Sequence, residues 1–501
     1  MTGPALWART ASAIPIDCEP PPERVGVLIA GAGLTGLALA RMLADRGVHV
    51  VVLEAREIGA GSTGHTTGKL SLLQGDVFSR IRRFAGDDTV RAYAEAQRAG
   101  VAWLRQELAV APGAVEPADA VTFAETAEGA EAIEHEVEAM RAAGIVPEVV
   151  PSGESVGGLP FAPRSAVLLG GQGKLQAMRV LGALASGLRE AGVRIVERCR
   201  VTGADLEGHR IRVATSRGTI LAEQLVLATG TPILDRGLFF AKLEPWRSFV
   251  SAYAVPDDAS LPAGMLLSVD RTSHSLRVDP DADGRPLLLV GGGGHVVGRA
   301  SSTRGMLDEL DNWTREHWPG AERRLWWAAQ DYRTTDAVPY AGPLPRGGGR
   351  IWAATGYDKW GMANAAASAL RLTGAMLGDP PDWATQLEHH GSRWIAAAEA
   401  VREGAAVGAE LVSGWARAET SRPDAALAEG EGRVVAEGVH PVAESMVGGV
   451  SCRVSGVCTH LGGILSWNDA ERSWDCPLHG SRFAPDGTRL EGPALEDLEA
   501  R

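Results

Sequence analysis

An apolar run from Val25 to Ala30 stops at Gly31-Ala-Gly33-Leu-Thr-Gly36, passes into the helical pattern Leu34 to Gly47, and is followed by a second strand-like run, His49 to Glu54. Strand, glycine turn, helix and strand in that order form a βαβ unit, which dictates a parallel sheet covered by helices. Gly31 permits the tight turn, Gly33 lets the backbone approach a pyrophosphate, and Gly36 allows helix and strand to pack closely. Glu54 ends the second strand roughly twenty residues further on, where a carboxylate can accept hydrogen bonds from ribose hydroxyls. The glycine pattern alone is a common turn. With strand, helix and acid in place it reads as a dinucleotide site, although it does not choose between a flavin and a nicotinamide dinucleotide.

At 501 residues the chain exceeds one hydrophobic core, so two or three domains are expected. After a proline-rich lead-in, 1–24, residues 76–164 mix amphipathic helices such as Asp88 to Leu108 with short strands, as an inserted substrate domain would. A helix near Leu175 to Ala191 and a strand Gln224 to Ala228 return to α/β character. Strands Ser248 to Val255 and Pro286 to Val290 and a helix Gly305 to Trp318 form the second half of the insert, before a strand Arg350 to Thr355 and a small-residue helix Gly361 to Leu377. The Ala-rich stretch Ser392 to Ala418 reads as helix and Thr420 to Gly432 as linker. Beyond it the spacing shortens to strands Arg433 to Glu437 and Val450 to Val454, the pattern of a small all-β domain.

The segment Gly59-Ala-Gly-Ser-Thr-Gly-His-Thr-Thr-Gly-Lys69 resembles the second glycine-rich segment of the D-amino-acid oxidase, glycine oxidase and sarcosine oxidase superfamily. The resemblance continues in Val226-Leu-Ala-Thr-Gly230, Pro339-Tyr-Ala-Gly342 and Ala354-Thr-Gly-Tyr-Asp-Lys-Trp-Gly-Met362. It implies tightly held FAD in a glutathione-reductase-like Rossmann domain, α/β in class, with an α+β substrate domain. The FAD-binding parts would be about 25–75, 165–235 and 330–385, and the substrate parts about 76–164 and 236–329. Carried onto this chain, the contacts to FAD are Gly31, Gly33, Leu34, Thr35, Gly36, Glu54, Ala55, Ser62, Thr63, His65, Thr66, Thr67, Gly230, Gly356, Lys359, Trp360, Gly361 and Met362. The resemblance also implies that the last helix aims its amino terminus at the flavin C2 carbonyl, a dipole that stabilises the anionic reduced ring. Gly61-Ser-Thr-Gly-His65 is similar to the segment of dimethylglycine and sarcosine dehydrogenases whose histidine is bonded to the flavin; a polar residue beside the pyrophosphate or ring is the other reading of His65. No second GxGxxG offers a nicotinamide site, which points to an organic substrate as reductant.

Cys458-Thr-His460 and Cys476-Pro-Leu-His479, with residues 461–475 between them, supply two thiolates and two imidazoles. Such a set suits a Rieske [2Fe-2S] cluster, the cysteines on one iron and the histidines on the other; Cys2His2 zinc uses similar ligands. The surrounding Cys458-Thr-His-Leu-Gly462 and Cys476-Pro-Leu-His-Gly-Ser-Arg-Phe483 closely resemble the two cluster loops of Rieske proteins, and Gly492-Pro493 fits the third, covering loop. Residues 431–501 are therefore expected to be a Rieske domain, joined by 386–430. Gly463 and Leu478 stand where many members carry a loop disulfide, and Phe483 stands where high-potential members carry a tyrosine donating to a cysteine sulfur. With Ser481 retained but fewer donors overall, the potential should lie below the upper end of the roughly -150 to +300 mV Rieske range. Cys452 reads as a packed core residue, and Cys18 and Cys199 as incidental.

Together the halves resemble bacterial FAD-dependent oxidoreductases with a fused Rieske domain. That resemblance implies electron transfer, and the superfamily resemblance supplies an amine or amino-acid-like substrate that would pass hydride to FAD, with the cluster exchanging electrons singly with an external acceptor or donor protein. Lys359 is a candidate to polarise the flavin or oxygen, with a salt bridge to Asp358 or another neighbour as the alternative. Arg277, or Arg247, is a candidate cation for a substrate carboxylate, with an ordinary surface charge as the alternative. A dedicated electron-transfer protein serving a partner enzyme and an oxygen-using oxidase with a structural Rieske domain are the competing functions. The formal charge of -13 and pI near 5.5 disfavour nucleic acid and anionic membranes as partners. No apolar run reads as a span or signal peptide, so a cytoplasmic location is expected.

Overall fold

The computed structural model describes residues 3–16, 19–234, 236, 239, 242–388, 415, 426–438 and 440–501. Strand Arg24–Ala30 lies parallel between Val50–Leu53 and Gly218–Leu227, the latter flanked in turn by Ile351–Thr355, so the four apolar runs form the parallel centre of an eight-stranded sheet. Helices Leu34–Ala44 and Gly361–Leu377 cover one face. Both strands that flank the first glycine turn are almost wholly apolar because they are buried on both faces.

A second eight-stranded sheet runs in the order Glu322–Thr334, Leu243–Ala254, Pro286–Val296, Ser275–Pro280, Met265–Ser268, Ala120–Ala124, Ser165–Leu169, Glu148–Val150. It is the expected substrate domain, with two boundary changes. Ser165–Leu169 joins this sheet rather than the FAD-binding part, and Glu322–Thr334 continues through residue 330 to the end of the strand. The helix expected at Asp88 to Leu108 begins earlier, as Val77–Glu107, broken at Gly86, whose φ of 79° and ψ of 178° lie outside any helix. The small-residue helix has a packing reason: a Cβ on Gly100 would lie 2.5 Å from the Ala363 carbonyl, so the two helices touch backbone to backbone.

The lead-in is not a passive tail. Its helix Leu6–Thr10 buries Trp7, whose Nε1 donates to the Thr66 carbonyl at 2.6 Å and whose ring meets Trp327 edge-on at 6.3 Å. The Ala-rich stretch Ser392 to Ala418 and the first part of the linker, Thr420 to residue 425, lie outside the described residues apart from Trp415.

The carboxyl-terminal domain pairs a three-stranded sheet, Gly432–Glu437, His440–Val447 and Val450–Ser455, with a four-stranded one ending in Arg482–Phe483 and Arg489–Glu491. It docks on the substrate sheet through buried charge. Arg247 makes a two-pronged contact with Glu471, and Arg482 approaches the same carboxylate at 3.1 Å while its Nε pairs with Asp475 at 2.9 Å. Asp469 caps the helix Thr303–His317 from outside, accepting from the Thr303 and Arg304 amides at 2.8 and 2.9 Å. Burial pushes the Glu471 carboxyl up, but the charges of Arg247 and Arg482 outweigh it and hold the group down near 2.

Glu471→Ala removes the nearest counter-charge from buried Arg247 and one of the carboxylates around Arg482, which keeps Asp475, so unfolding in urea should show a loss of about 3–5 kcal/mol. A loss below about 1 kcal/mol would make the network dispensable. Because the folded pKa is depressed from 4.5, this stabilisation is present above that pH and fades as pH falls toward 2.

Candidate functional site

One elongated cavity runs from the first glycine turn to the substrate sheet. Gly31 (φ +111°) makes the turn that ends the first strand; a Cβ there would lie 2.3 Å from the Ala228 carbonyl. Helix Leu34–Ala44 opens on this cavity with Gly33 at its N-cap; the Leu34 amide donates to Thr63 Oγ1 at 3.2 Å, and the next amides of the first turn remain for an anion. Glu54 accepts from the Ala32 and Arg56 amides, each at 2.9 Å, so its carboxylate is held at the cavity wall with lone pairs to spare for ribose hydroxyls. A helix start beside an oriented carboxylate fits a dinucleotide's phosphate and ribose.

Every FAD contact expected from the sequence lines this cavity except Gly36, which lies behind the turn; a Cβ on Gly36 would sit 1.9 Å from the Gly31 carbonyl. His65 Nδ1 is 2.9 Å from the Gly61 carbonyl, which makes Nδ1–H the donor and leaves the lone pair on Nε2. Burial lowers the His65 pKa, keeping the ring neutral.

At the far end, helix Gly361–Leu377 starts at the wall without a side-chain cap, and Trp360, Gly361 and Met362 line the cavity. The preceding turn puts Asp358 and Lys359 at positive φ, 43° and 70°. Asp331 holds it, accepting from the Lys359 amide at 2.6 Å and the Tyr332 amide at 2.8 Å. The Asp358 carboxylate is taken by Arg80 and Arg333, so the expected alternative for Lys359, a salt bridge to Asp358, is not formed. Lys359 instead stands open to the cavity, its pKa lowered by desolvation and then by Arg333.

Arg277 is placed elsewhere than in the cavity lining. Its guanidinium pairs with Asp279, donates to the Thr67, Gly68 and Leu175 carbonyls, and lies over the Trp7 ring at 4.9 Å. Neither Arg277 nor Arg247 is a surface charge; they are 1% and 4% exposed. Lys69 does line the cavity, as do Lys359, Arg56, Arg200 and Arg489, and it is hydrogen-bonded to Ser275 Oγ and, at 3.4 Å, to Thr67 Oγ1. Desolvation, reinforced by the Arg277 charge, brings its pKa to about 7. Lys69 ends the second glycine segment, the one signal that could have singled it out.

In the carboxyl-terminal domain Cys458 and Cys476 are buried side by side, and the His460 and His479 rings lie 5.1 Å apart at 86°. The hydrogen bond between the thiols, with help from the His460 and Leu461 amides and Ser481, lowers Cys458 to about 7. Burial and the neighbouring His460 and Arg299 lower His479 to about 3, leaving the neutral imidazole that binds metal. Among the described residues no three His, Cys, Asp or Glu side chains converge on a single ion, whereas a cysteine pair facing a histidine pair fits two irons. Leu478 fills the space beside Gly463, where a Cβ would meet its Cγ at 2.7 Å, so packing replaces the loop disulfide, and the described cysteines are free. Pro493 lies with both histidines around a small cavity, and the Ala494 amide donates to Ser481 Oγ at 2.9 Å, as a covering loop should.

Two cysteine expectations change. Cys452 is half-buried in its strand, and Cys199, fully buried, lines the nucleotide cavity with its amide donating to the Glu54 carbonyl at 2.8 Å. Cys18 lies outside the described residues. Arg489 to Gly492, Ala494 and Leu495 of the carboxyl-terminal domain also line the nucleotide cavity, which no motif signalled.

Fold and site thus define a two-centre redox protein with a flavin cavity and an iron-sulfur site. The chain belongs to the family of FAD dependent oxidoreductases, whose description matches residues 26–375, and residues 427–500 match the Rieske [2Fe-2S] domain. YhfW of Bacillus subtilis, described as a Rieske 2Fe-2S iron-sulfur protein, is 29% identical over 487 residues, 94% of this chain and 92% of its own length. The L-proline dehydrogenase from P. horikoshii superposes with a TM-score of 0.57 at 17% identity, over 75% of this chain and 97% of its own. Glycine oxidase from Geobacillus kaustophilus does so with a TM-score of 0.57 at 20% identity, over 72% and 96%. At that identity the likeness establishes the fold. The cofactors are therefore FAD and a [2Fe-2S] cluster, and no helix among the described residues is long and apolar enough to cross a membrane.

An EPR-monitored redox titration should place the cluster below about +250 mV. Phe483→Tyr, restoring one donor near the cysteines, should raise the midpoint by about 40 mV, the one-electron equivalent of about 1 kcal/mol.

Proposed function

We propose that this protein oxidises an amine or amino-acid-like substrate by hydride transfer to the flavin and releases the electrons singly through the Rieske cluster. A bound flavin supplies a two-electron acceptor and a bound cluster a one-electron carrier. The observation that carries the reading is the cation content of the cavity: Lys69 and Lys359 both line it and neither forms an ion pair among the described residues. The carboxylates on the wall are engaged elsewhere, Glu54 and Asp331 by backbone amides and Glu491 by Arg247 and Arg482, so a substrate that brings its own carboxylate would pair with these desolvated ammonium groups.

Lys69, oriented by Ser275 and Thr67, would hold that carboxylate. Trp246, Leu267 and Phe249 line the same end and exclude water around the reacting carbon. Asp331 fixes the turn that carries Lys359 and the start of helix Gly361–Leu377, so the positive end of that helix is preset toward developing negative charge. The named substrates of the structural neighbours, L-proline and glycine, fit a carboxylate beside an amine.

Anaerobic mixing with a panel of N-methyl amines, amino acids and cyclic imino acids should bleach the flavin without any protein partner and then produce the cluster EPR signal. Failure across the panel, with the flavin reduced only through an external donor to the cluster, would select the electron-transfer protein instead. Unchanged aerobic turnover in Cys458→Ser would select the oxidase. Lys69→Met should weaken a carboxylate inhibitor by about 10- to 100-fold, the worth of a charge-assisted hydrogen bond, in a flavin-absorbance titration. Since only the ammonium form attracts an anion, wild-type affinity should be full below pH about 7 and fall above it.

A further inference from the structure

The flavin cavity and the small cavity beside the cluster histidines share one lining residue, Tyr332. Tyr332, 6% exposed, lines the large cavity on one side and, on the other, the small cavity that His460 and His479 share with Thr231, Phe239 and Pro493. Two residues earlier on the same face of the edge strand Glu322–Thr334 stands Gln330, 3% exposed. Its Nε2 donates to the Tyr332 hydroxyl at 3.0 Å and to the Gly480 carbonyl at 2.9 Å. A carbonyl only accepts, so the amide nitrogen must face Gly480. Gly480 follows His479 directly, and its own amide donates to the Cys476 carbonyl at 3.1 Å, which places it inside the second cluster loop. The backbone carbonyl of Gln330 accepts from Ser62 Oγ, in the second glycine segment of the flavin site. Gln330 therefore bonds to both cofactor loops at once. Its Oε1 is buried without a hydrogen-bond partner in a residue that lines the flavin cavity.

We propose that Gln330 and Tyr332 are positioning residues that hold the cluster loop in register with the flavin for electron transfer within one chain. The inference rests on the proposed function and specifies its route. Each transfer moves one electron from reduced flavin to the ferric iron of the cluster. Two transfers, two reoxidations of the cluster by a one-electron carrier protein, and loss of the flavin N5 proton to solvent return the flavin to its oxidised form. The docking charges Arg247, Glu471 and Arg482 keep the domain seated, so the route needs no swinging of the cluster domain between donor and acceptor.

The test uses the full-length holoprotein and no substrate. The flavin is reduced by a light pulse with an external photoreductant under anaerobic conditions, and electron arrival at the cluster is followed by absorbance and by freeze-quenched EPR. In Gln330→Met and in Tyr332→Phe, the internal transfer rate should fall by about fivefold or more, the rate equivalent of one hydrogen bond. FAD content, iron content and both midpoint potentials should stay at wild-type values. Rates unchanged in both variants would overturn the assignment, as would a slower rate accompanied by a shifted midpoint, which would make driving force the cause. If Gln330→Met fails to load its cofactors, Tyr332→Phe decides alone by the same criteria. Absence of any flavin-to-cluster transfer in the wild type would instead sink the proposed function, because no route would exist to be positioned.

Discussion

Glu471 lies between two arginines from different domains, and the placement of everything at the interface follows from it. A carboxylate and two guanidinium groups, each at most 4% exposed, are tolerable only when all three are together. Any other docking of the carboxyl-terminal domain would strand Arg247 in the substrate sheet without a counter-charge. Such a network contributes less to net stability than to the choice of one arrangement, since desolvation consumes most of the attraction. With the domain fixed there, Asp469 caps a helix of its neighbour, Pro477 accepts from Arg299 Nε at 3.0 Å, and Gly480 reaches Gln330.

The flavin cavity is built from several chain segments that bring buried charges of both signs to its wall. Lys69 and Lys359 stand in it beside Glu54, Asp331 and Glu491, Arg277 lies just behind its wall, and two helices open on it with their amino termini. Arg277 shows how burial redirects an expected function. Once Asp279 and three carbonyls have taken its N–H groups, it stiffens the Thr67 to Gly68 backbone under the cavity and lowers the Lys69 pKa through space. The lead-in helix takes part, because Trp7 stacks on that guanidinium and ties down the Thr66 carbonyl.

The iron-sulfur site replaces covalent bracing with packing. Leu478 against Gly463 occupies the space that a disulfide spans in other members, and Ser481 receives the Ala494 amide of the covering loop. That loop serves two sites, since Gly492, Ala494 and Leu495 also line the nucleotide cavity.

What the amino-acid order determined alone is the chemistry that local geometry dictates. The βαβ unit with Glu54, the second glycine segment, and the two cysteine-histidine loops each depend on residues close in sequence, whose spacing sets a turn, a helix start or a ligand pair whatever surrounds them. For that reason nearly all the residues expected at the nucleotide site line one cavity, and the two cysteines and two histidines expected to hold the cluster lie together in one domain. The tertiary structure decided which partner each buried group found, most of them far away in the chain: Glu471 chose Arg247, Arg80 and Arg333 took Asp358 from Lys359, Gln330 met Gly480, and Arg277 turned to nearby Asp279 and to the carbonyls of Thr67, Gly68 and Leu175. Desolvation is the physical reason. A charge or amide is neutral in its implications while water can satisfy it, and only the folded arrangement shows which buried partner has replaced that water.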